Sequence, residues 1–189
     1  MFEKIIVVPE TKLRLWDETN ERFKYICHPE TKLTLLHSLV SLSLWESKWH
    51  TNYFSKTKKT AEQAIDYIRC MTRETDVNPD VYNTIAMSNK LLDEIGDYID
   101  DPMTATIITD NRKNKSNKNE YITSELIYWS MIQHGIPVEF ETWHINRLLT
   151  LINVCNAKNG GGGKMKKKDI LAEYAKINER NRAKYNSKG

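Results

Sequence analysis

Residues 33–49 read LTLLHSLVSLSLWESKW, and two periods compete within them. Leu33, Leu35, Val40, Leu42 and Leu44 fit the period of two of a half-buried strand, whereas Leu35, Leu39, Leu42, Trp45 and Trp49 fall on one face of a helix. The helical set runs longer, so the spacing predicts a short strand that enters a helix near Ser38. Strand signals lie before this junction and helical ones after it, which makes the chain α+β. The expected architecture is mainly α-helical, with a small N-terminal antiparallel β-sheet and a C-terminal basic helix after a Gly linker.

Upstream of the junction, residues 4–8 (KIIVV) form a β-branched run closed by Pro9, and residues 12–16 and 22–27 alternate polar with apolar side chains around the polar turn 17–20. This predicts a hairpin over 13–27 with an edge strand before it. A lone hairpin is marginal in water, so it must pack against the helices that follow.

Downstream, Thr60 with Gln63 three residues later is a capping box, and Ala64, Ile65, Ile68 and Met71 continue it as a helix over 60–72. Pro79 after Asn78 opens a helix over 80–87, and Leu91, Leu92, Ile95 and Ile99 form one face of another over 88–99, stopped by Asp100-Asp101-Pro102. Residues 103–109, rich in Thr and Ile, read as a strand or extended segment, and 110–119, rich in Asn and Lys without an apolar residue, as a surface loop. A helix over 123–134 carries Leu126, Ile127, Trp129, Met131 and Ile132 and ends at Gly135. Residues 139–157 are apolar around most of a helical circumference, with Asn146, Thr150, Asn153 and Asn156 as a narrow polar stripe. Such a helix is central to the core, or buries a second face in a partner.

The 189 residues carry 28 Lys and Arg against 25 Asp and Glu, but the balance is uneven. From Lys158 onward ten basic residues face three acidic ones, so the last part of the chain is +7 and the rest −4. Four of the seven glycines are consecutive at 160–163, where regular structure would be entropically costly. The chain thus divides into a body over 1–158 (hairpin region about 1–36, helical region about 37–158), a linker over 159–163 and a basic tail over 164–189. In the tail, Ile170, Tyr174 and Ile177 recur at i, i+4, i+7 over 169–184. No apolar run reaches the roughly 18 residues of a membrane span, and the opening MFEKIIVVPE turns polar too soon for a secretory signal. The expectation is a soluble, cytosolic chain with no membrane partner.

No catalytic pattern is present. Nucleophile-elbow, zinc-protease, Rossmann and P-loop signatures are missing, and the glycines before Lys164 are followed by Met165 where a P-loop needs Ser or Thr. Cys27, Cys70 and Cys155 stand far apart and read as small buried apolar side chains. His28, His37, His50, His134 and His144 have no metal-ligand spacing, and His144 reads as a hydrogen-bonded histidine at the core edge. Trp45 and Trp49 read as core packing rather than a stacking platform. Neither enzyme activity, nor a cofactor, nor a metal site is expected. Lys166, Lys167 and Lys168 beside the linker are candidate partner contacts; nucleic acid is not the favoured partner, because the tail supplies only Tyr174 and Tyr185 for base stacking.

Taken together, residues 37–50 (HSLVSLSLWESKWH), 65–72 (IDYIRCMT), 101–106 (DPMTAT), 123–131 (TSELIYWSM) and 143–159 (WHINRLLTLINVCNAKN) resemble the tail assembly chaperones of bacteriophages with long non-contractile tails. The closing AKYNSKG is similar as well. The resemblance implies a non-enzymatic protein, acting in the host cytoplasm during virion morphogenesis, that holds the helical tape-measure protein soluble while tail-tube subunits polymerise around it. It also implies a longer product made by ribosomal frameshifting, and Gly162-Gly163-Lys164 is compatible with a slippery codon run there. A homo-oligomer is compatible with this role. Alternative readings are a structural virion protein of the tail or neck and a nucleic-acid-binding accessory protein acting through the Lys-rich tail. The helix over 139–157 is the expected groove-forming element, with Trp143, Leu148, Leu149 and Ile152 as candidate partner-binding anchors.

Overall fold

The computed structural model describes residues 2–18, 20–106 and 122–159. Four strands and six α-helices are present among them, an α+β arrangement with the strands at the N-terminal end. The linker from Gly160, the tail stripe, Lys166, Lys167, Lys168, the loop over 110–119 and the end of the 103–109 segment lie outside the described residues. Residues 103–106 form no strand.

The strands β1 (Lys4–Val8), β2 (Thr11–Asp17), β3 (Arg22–His28) and β4 (Thr31–Leu35) pair as two antiparallel ribbons, β1 with β4 and β2 with β3. The expected hairpin is therefore present, but β1 is not an edge strand beside it. Val8 pairs with Thr31 and Thr11 with His28, so the register is continuous and the two ribbons are one long hairpin interrupted where Pro9 and Pro29 fall nearly opposite each other. Proline has no N–H to donate, and two of them here remove the rungs that would join the halves. The buried pleat face switches at this break. Ile6, Val8, Leu33 and Leu35 are buried in the inner half, whereas Leu13 is exposed in the outer half and only Ile26 and His28 of β3 are buried.

The base of the outer ribbon is tied to α3 (Pro79–Met87): Cys27 N–H donates to Asp80 (3.0 Å), Asn78 Nδ2 donates to the Cys27 carbonyl (3.1 Å), and His28 Nε2 lies 2.7 Å from the Thr84 hydroxyl. Beyond it the ribbon projects, with the Arg14 guanidinium 3.5 Å from the Phe23 ring centroid and Trp16 edge-on to Phe23 at 4.9 Å. Cys27 is exposed, contrary to expectation, because its pleat neighbours Ile26 and His28 take the inward face. Cys70 and Cys155 are half-buried.

β4 enters α1 (Leu39–Trp49) through the N-cap Ser38, where the competing periods of the sequence meet. Ser38 and Ser41 form a reciprocal capping box, as do Thr60 and Gln63 at the start of α2 (Ala61–Met71). Asn78 caps α3, with Pro79 in its first turn, and Ser88 caps α4 (Asn89–Asp100). α5 (Ser124–Gln133) ends in a Schellman motif: Gly135 (φ 62°) donates to the Ile132 carbonyl at 3.1 Å and Ile136 to the Met131 carbonyl at 2.9 Å.

The predicted helix over 139–157 is corrected at its start. Val138–Thr142 is a 3-10 helix after Pro137, Trp143 is extended, and α6 spans Ile145–Asn159. The break arises because Ile145 N–H is drawn to the His37 carbonyl (2.8 Å) and His144 bridges Ser38, which pins the chain across the entry to α1.

Two hydrophobic clusters share α1. Trp45 belongs with Ile6, Val8, Leu33, Leu35 and the inner faces of α2, α3 and α4, while Leu39 and Leu42 pack with Ile127, Met131, Ile145, Leu148 and Ile152. The helix central to the core is therefore α1, and α6 lies at the border with Leu149, Leu151, Val154 and Cys155 only partly covered.

Candidate partner-binding surface

α5 is apolar on two faces. Leu126-Ile127 and Met131-Ile132 are consecutive apolar pairs, and consecutive residues on a helix point about 100° apart. Ile127 and Met131 turn inward, while Leu126 is 49% exposed, Trp129 58% and Ile132 75%. The helix is held in this orientation from both ends. Its first N–H group, on Ser124, donates to Oε2 of the buried Glu46 at 2.8 Å, and Oε1 of the same carboxylate accepts from Tyr53 N–H at 2.8 Å. A negative charge here also complements the positive end of the helix. At the other end His134 Nε2 lies 2.9 Å from Asn156 Oδ1, and Tyr128 donates to Glu141 at 2.8 Å.

Between α5 and α6 runs a groove with Ile122, Leu126, Trp129, Leu149 and Ile152 along it and Gln133, Asn153 and Asn156 at its margin. Apolar walls with a polar margin suit the apolar face of an amphipathic helix, which needs anchors at one-turn spacing. The polar stripe expected on α6 is divided: Asn153 and Asn156 face the groove, whereas Asn146 donates to the carbonyls of Ile99 (2.8 Å) and Asp101 (2.9 Å) at the end of α4.

The four apolar anchor candidates from the sequence do not form one site. Leu149 and Ile152 line the groove, Leu148 is buried in the core, and Trp143 lies elsewhere. Trp143 stacks on Phe140 (centroids 4.0 Å, planes 13° apart) and meets Phe2 at 5.7 Å, with the Arg147 guanidinium 4.6 Å from its ring centre. It borders a second cleft with Leu36, Val40, Leu44 and Met71. Trp129 and Leu126 were the groove residues that periodicity passed over, with Ile132 exposed on the same helix; the signal for them is the pair of consecutive apolar dipeptides, which one buried face cannot absorb.

Trp45 and Trp49 are structural, as expected. Trp45 is fully buried and donates to the Gln63 carbonyl (2.9 Å), and Trp49 donates to Asp66 (2.8 Å), whose other oxygen pairs with Lys48 at 2.5 Å. His144 is deeper than the core edge. Its Nε2 is 3.0 Å from the Tyr98 carbonyl, an acceptor only, so Nε2 carries the proton; Nδ1 is buried with no hydrogen-bond partner among the described residues. Burial lowers the pKa of His144, and burial together with the neighbouring His144 holds His37 down to about 3. Both rings are therefore neutral at pH 7.

Among the described residues no group of three or more His, Cys, Asp or Glu side chains is placed to hold a metal ion, and no helix is long and apolar enough to cross a membrane. Comparison with protein-family models, curated proteins and solved structures finds no match to the chain.

Proposed function

We propose that the protein is a tail assembly chaperone of a long-tailed bacteriophage. In this reading it binds tape-measure protein, and tail-tube protein with it, in the host cytoplasm and releases them as the tail forms. It acts by reversible contact, with no covalent chemistry and no cofactor. The reading rests on the family resemblance of the sequence, and the structural observation that supports it best is the α5–α6 groove. Leu126, Trp129 and Ile132 cover two turns of exposed helix, the spacing at which an unassembled tape-measure helix would present its own apolar stripe.

The test is co-expression with the tape-measure protein followed by affinity capture. The chain is expected to hold the tape-measure protein in the soluble fraction, and Trp129→Asp is expected to reduce capture at least tenfold. Capture that is indifferent to Trp129→Asp and Leu126→Asp removes the groove from the contact. Mass spectrometry that finds the chain at stoichiometric amounts in purified virions assigns it to the tail structure instead.

A further inference from the structure

The exposed face of α5 is balanced about Trp129. Leu126 lies three residues before it and Ile132 three after, so the two flank Trp129 at equal distances along the helix and about 60° to either side. We propose that this face closes on the same face of a second copy of the chain, in a two-fold dimer whose α5 helices run antiparallel with each Trp129 packed against its counterpart. The dimer rests on the chaperone reading in one respect only: a tape-measure helix on this face must displace the second copy, which keeps the apolar surface covered until then.

Symmetry, charge and area select this occupant. A two-fold contact uses the same patch on both chains, so a stripe balanced about its midpoint can serve as both halves. In the antiparallel register Leu126 of one chain stands level with Ile132 of the other, and apolar side chains meet apolar ones along the contact. Glu125 is the only charged residue of α5, and in this register it stands level with the uncharged Gln133. A parallel pairing would instead set two Glu125 carboxylates, and two positive helix ends, side by side. Among the described residues no Lys, Arg, Asp or Glu lines the adjoining groove, so the contact strands no charge away from water. The uncovered parts of Ile122, Leu126, Trp129 and Ile132 amount to roughly 450 Å² per copy. A standard interface takes about 800 Å² from each partner, of which about 65%, or roughly 500 Å², is apolar in homodimers. The face thus has the size of one homodimer core, with Ser130, Gln133 and Asn153 at hand for its polar margin.

The test is sedimentation equilibrium of the full chain over about 1–500 µM with no other protein present, a range that covers weak and tight interfaces of this area. The average mass is expected to rise from 22.1 kDa toward twice that value. Trp129→Asp, which sets two carboxylates at the two-fold axis, is expected to keep the chain monomeric throughout. Gln133→Lys places a cation level with Glu125 of the other copy at both ends of the contact and is expected to tighten the dimer about fivefold at low salt, whereas Gln133→Glu loosens it by a similar factor. Gln133 is exposed, so neither of its variants puts folding at stake. A mass of 22.1 kDa at every concentration overturns the proposal. A dimer indifferent to Trp129→Asp overturns it by placing the contact on another surface, and equal affinity in the two Gln133 variants overturns it by refuting the register. No tape-measure protein is present, so a monomeric result leaves the capture experiment standing, and failed capture leaves the dimer standing.

Discussion

The rings of His37 and His144 meet edge to face, their centroids 4.9 Å apart, and both side chains are shut off from solvent. His37 sits at the strand-to-helix junction and His144 at the entry to α6. The His37 N–H donates to the Tyr98 hydroxyl (2.9 Å), its Nδ1 lies 2.5 Å from the Tyr67 hydroxyl, and His144 Nε2 donates to the Tyr98 carbonyl. Four elements of the fold meet at two imidazoles that must stay neutral.

A pH dependence follows. An unfolded histidine titrates near 6.5, whereas His37 in the native state titrates near 3, so between these values the unfolded chain binds the extra proton. The stabilisation is complete above about pH 6.5 and is lost as pH falls, at up to ~1.4 kcal/mol per pH unit for His37, with His144 adding in the same direction. Urea titrations at pH 7, 6 and 5, above the range where carboxylates dominate, are expected to show this decline. A constant unfolding free energy over that range contradicts it.

Leu148 is fully buried between α1 and α5. Leu148→Ala is expected to cost about 2–5 kcal/mol through lost contacts and a residual cavity. Leu148→Asp, which places a charge there, is expected to prevent folding altogether. Circular dichroism and soluble yield report both, and a soluble, fully helical Leu148→Asp protein refutes the assignment of this residue to the core.

The Glu46 carboxylate accepts two backbone N–H groups from distant parts of the chain, Tyr53 and Ser124. Glu46→Ala orphans both, at about 1–3 kcal/mol each. Chemical denaturation is expected to show a loss of about 2–6 kcal/mol for the pair, together with faster amide exchange at the first turn of α5. A loss under 0.5 kcal/mol, the ordinary surface range of about that size, would show that water replaces the carboxylate.

Trp129 lies outside the packed core. Trp129→Asp is expected to leave the unfolding free energy within about 1 kcal/mol of the native protein while abolishing partner capture. Parallel loss of stability and capture would make its role structural.

Deleting residues 164–189 removes a net basic segment, and among the described residues both core clusters are complete without it. The melting temperature is expected to fall by a few degrees at most, about what a 1 kcal/mol contact produces in a chain of this size. A drop of tens of degrees would mean that the tail is integral to the core.

Much of the fold could be read from the residues alone because its signals are local. The helix entry at Ser38, the capping box at Thr60, Pro79 after Asn78 and Gly135 after α5 each act within one helical turn, and each stands where the residues predict. What escaped depends on distant parts of the chain. Nothing near Trp143 announces that α6 begins only at Ile145, since the break follows from the His37 carbonyl a hundred residues earlier in the chain. The partnership of β1 with β4 likewise needs the prolines to be seen across from each other. The groove was half legible: Leu149 and Ile152 could be named from sequence, but which face of α5 turns outward is decided by Glu46.

The proline interruption in the hairpin separates two fates. Fraying that starts at the tip meets Ile26 and His28, buried and tied to α3, before it reaches the gap at Pro9 and Pro29, and beyond that gap stand the rows of Ile6, Val8 and Leu33. The fold thus carries Trp16 and Phe23 on a tip outside both core clusters, set off from the inner rows first by the anchored base of the ribbon and then by two residues that lack a hydrogen.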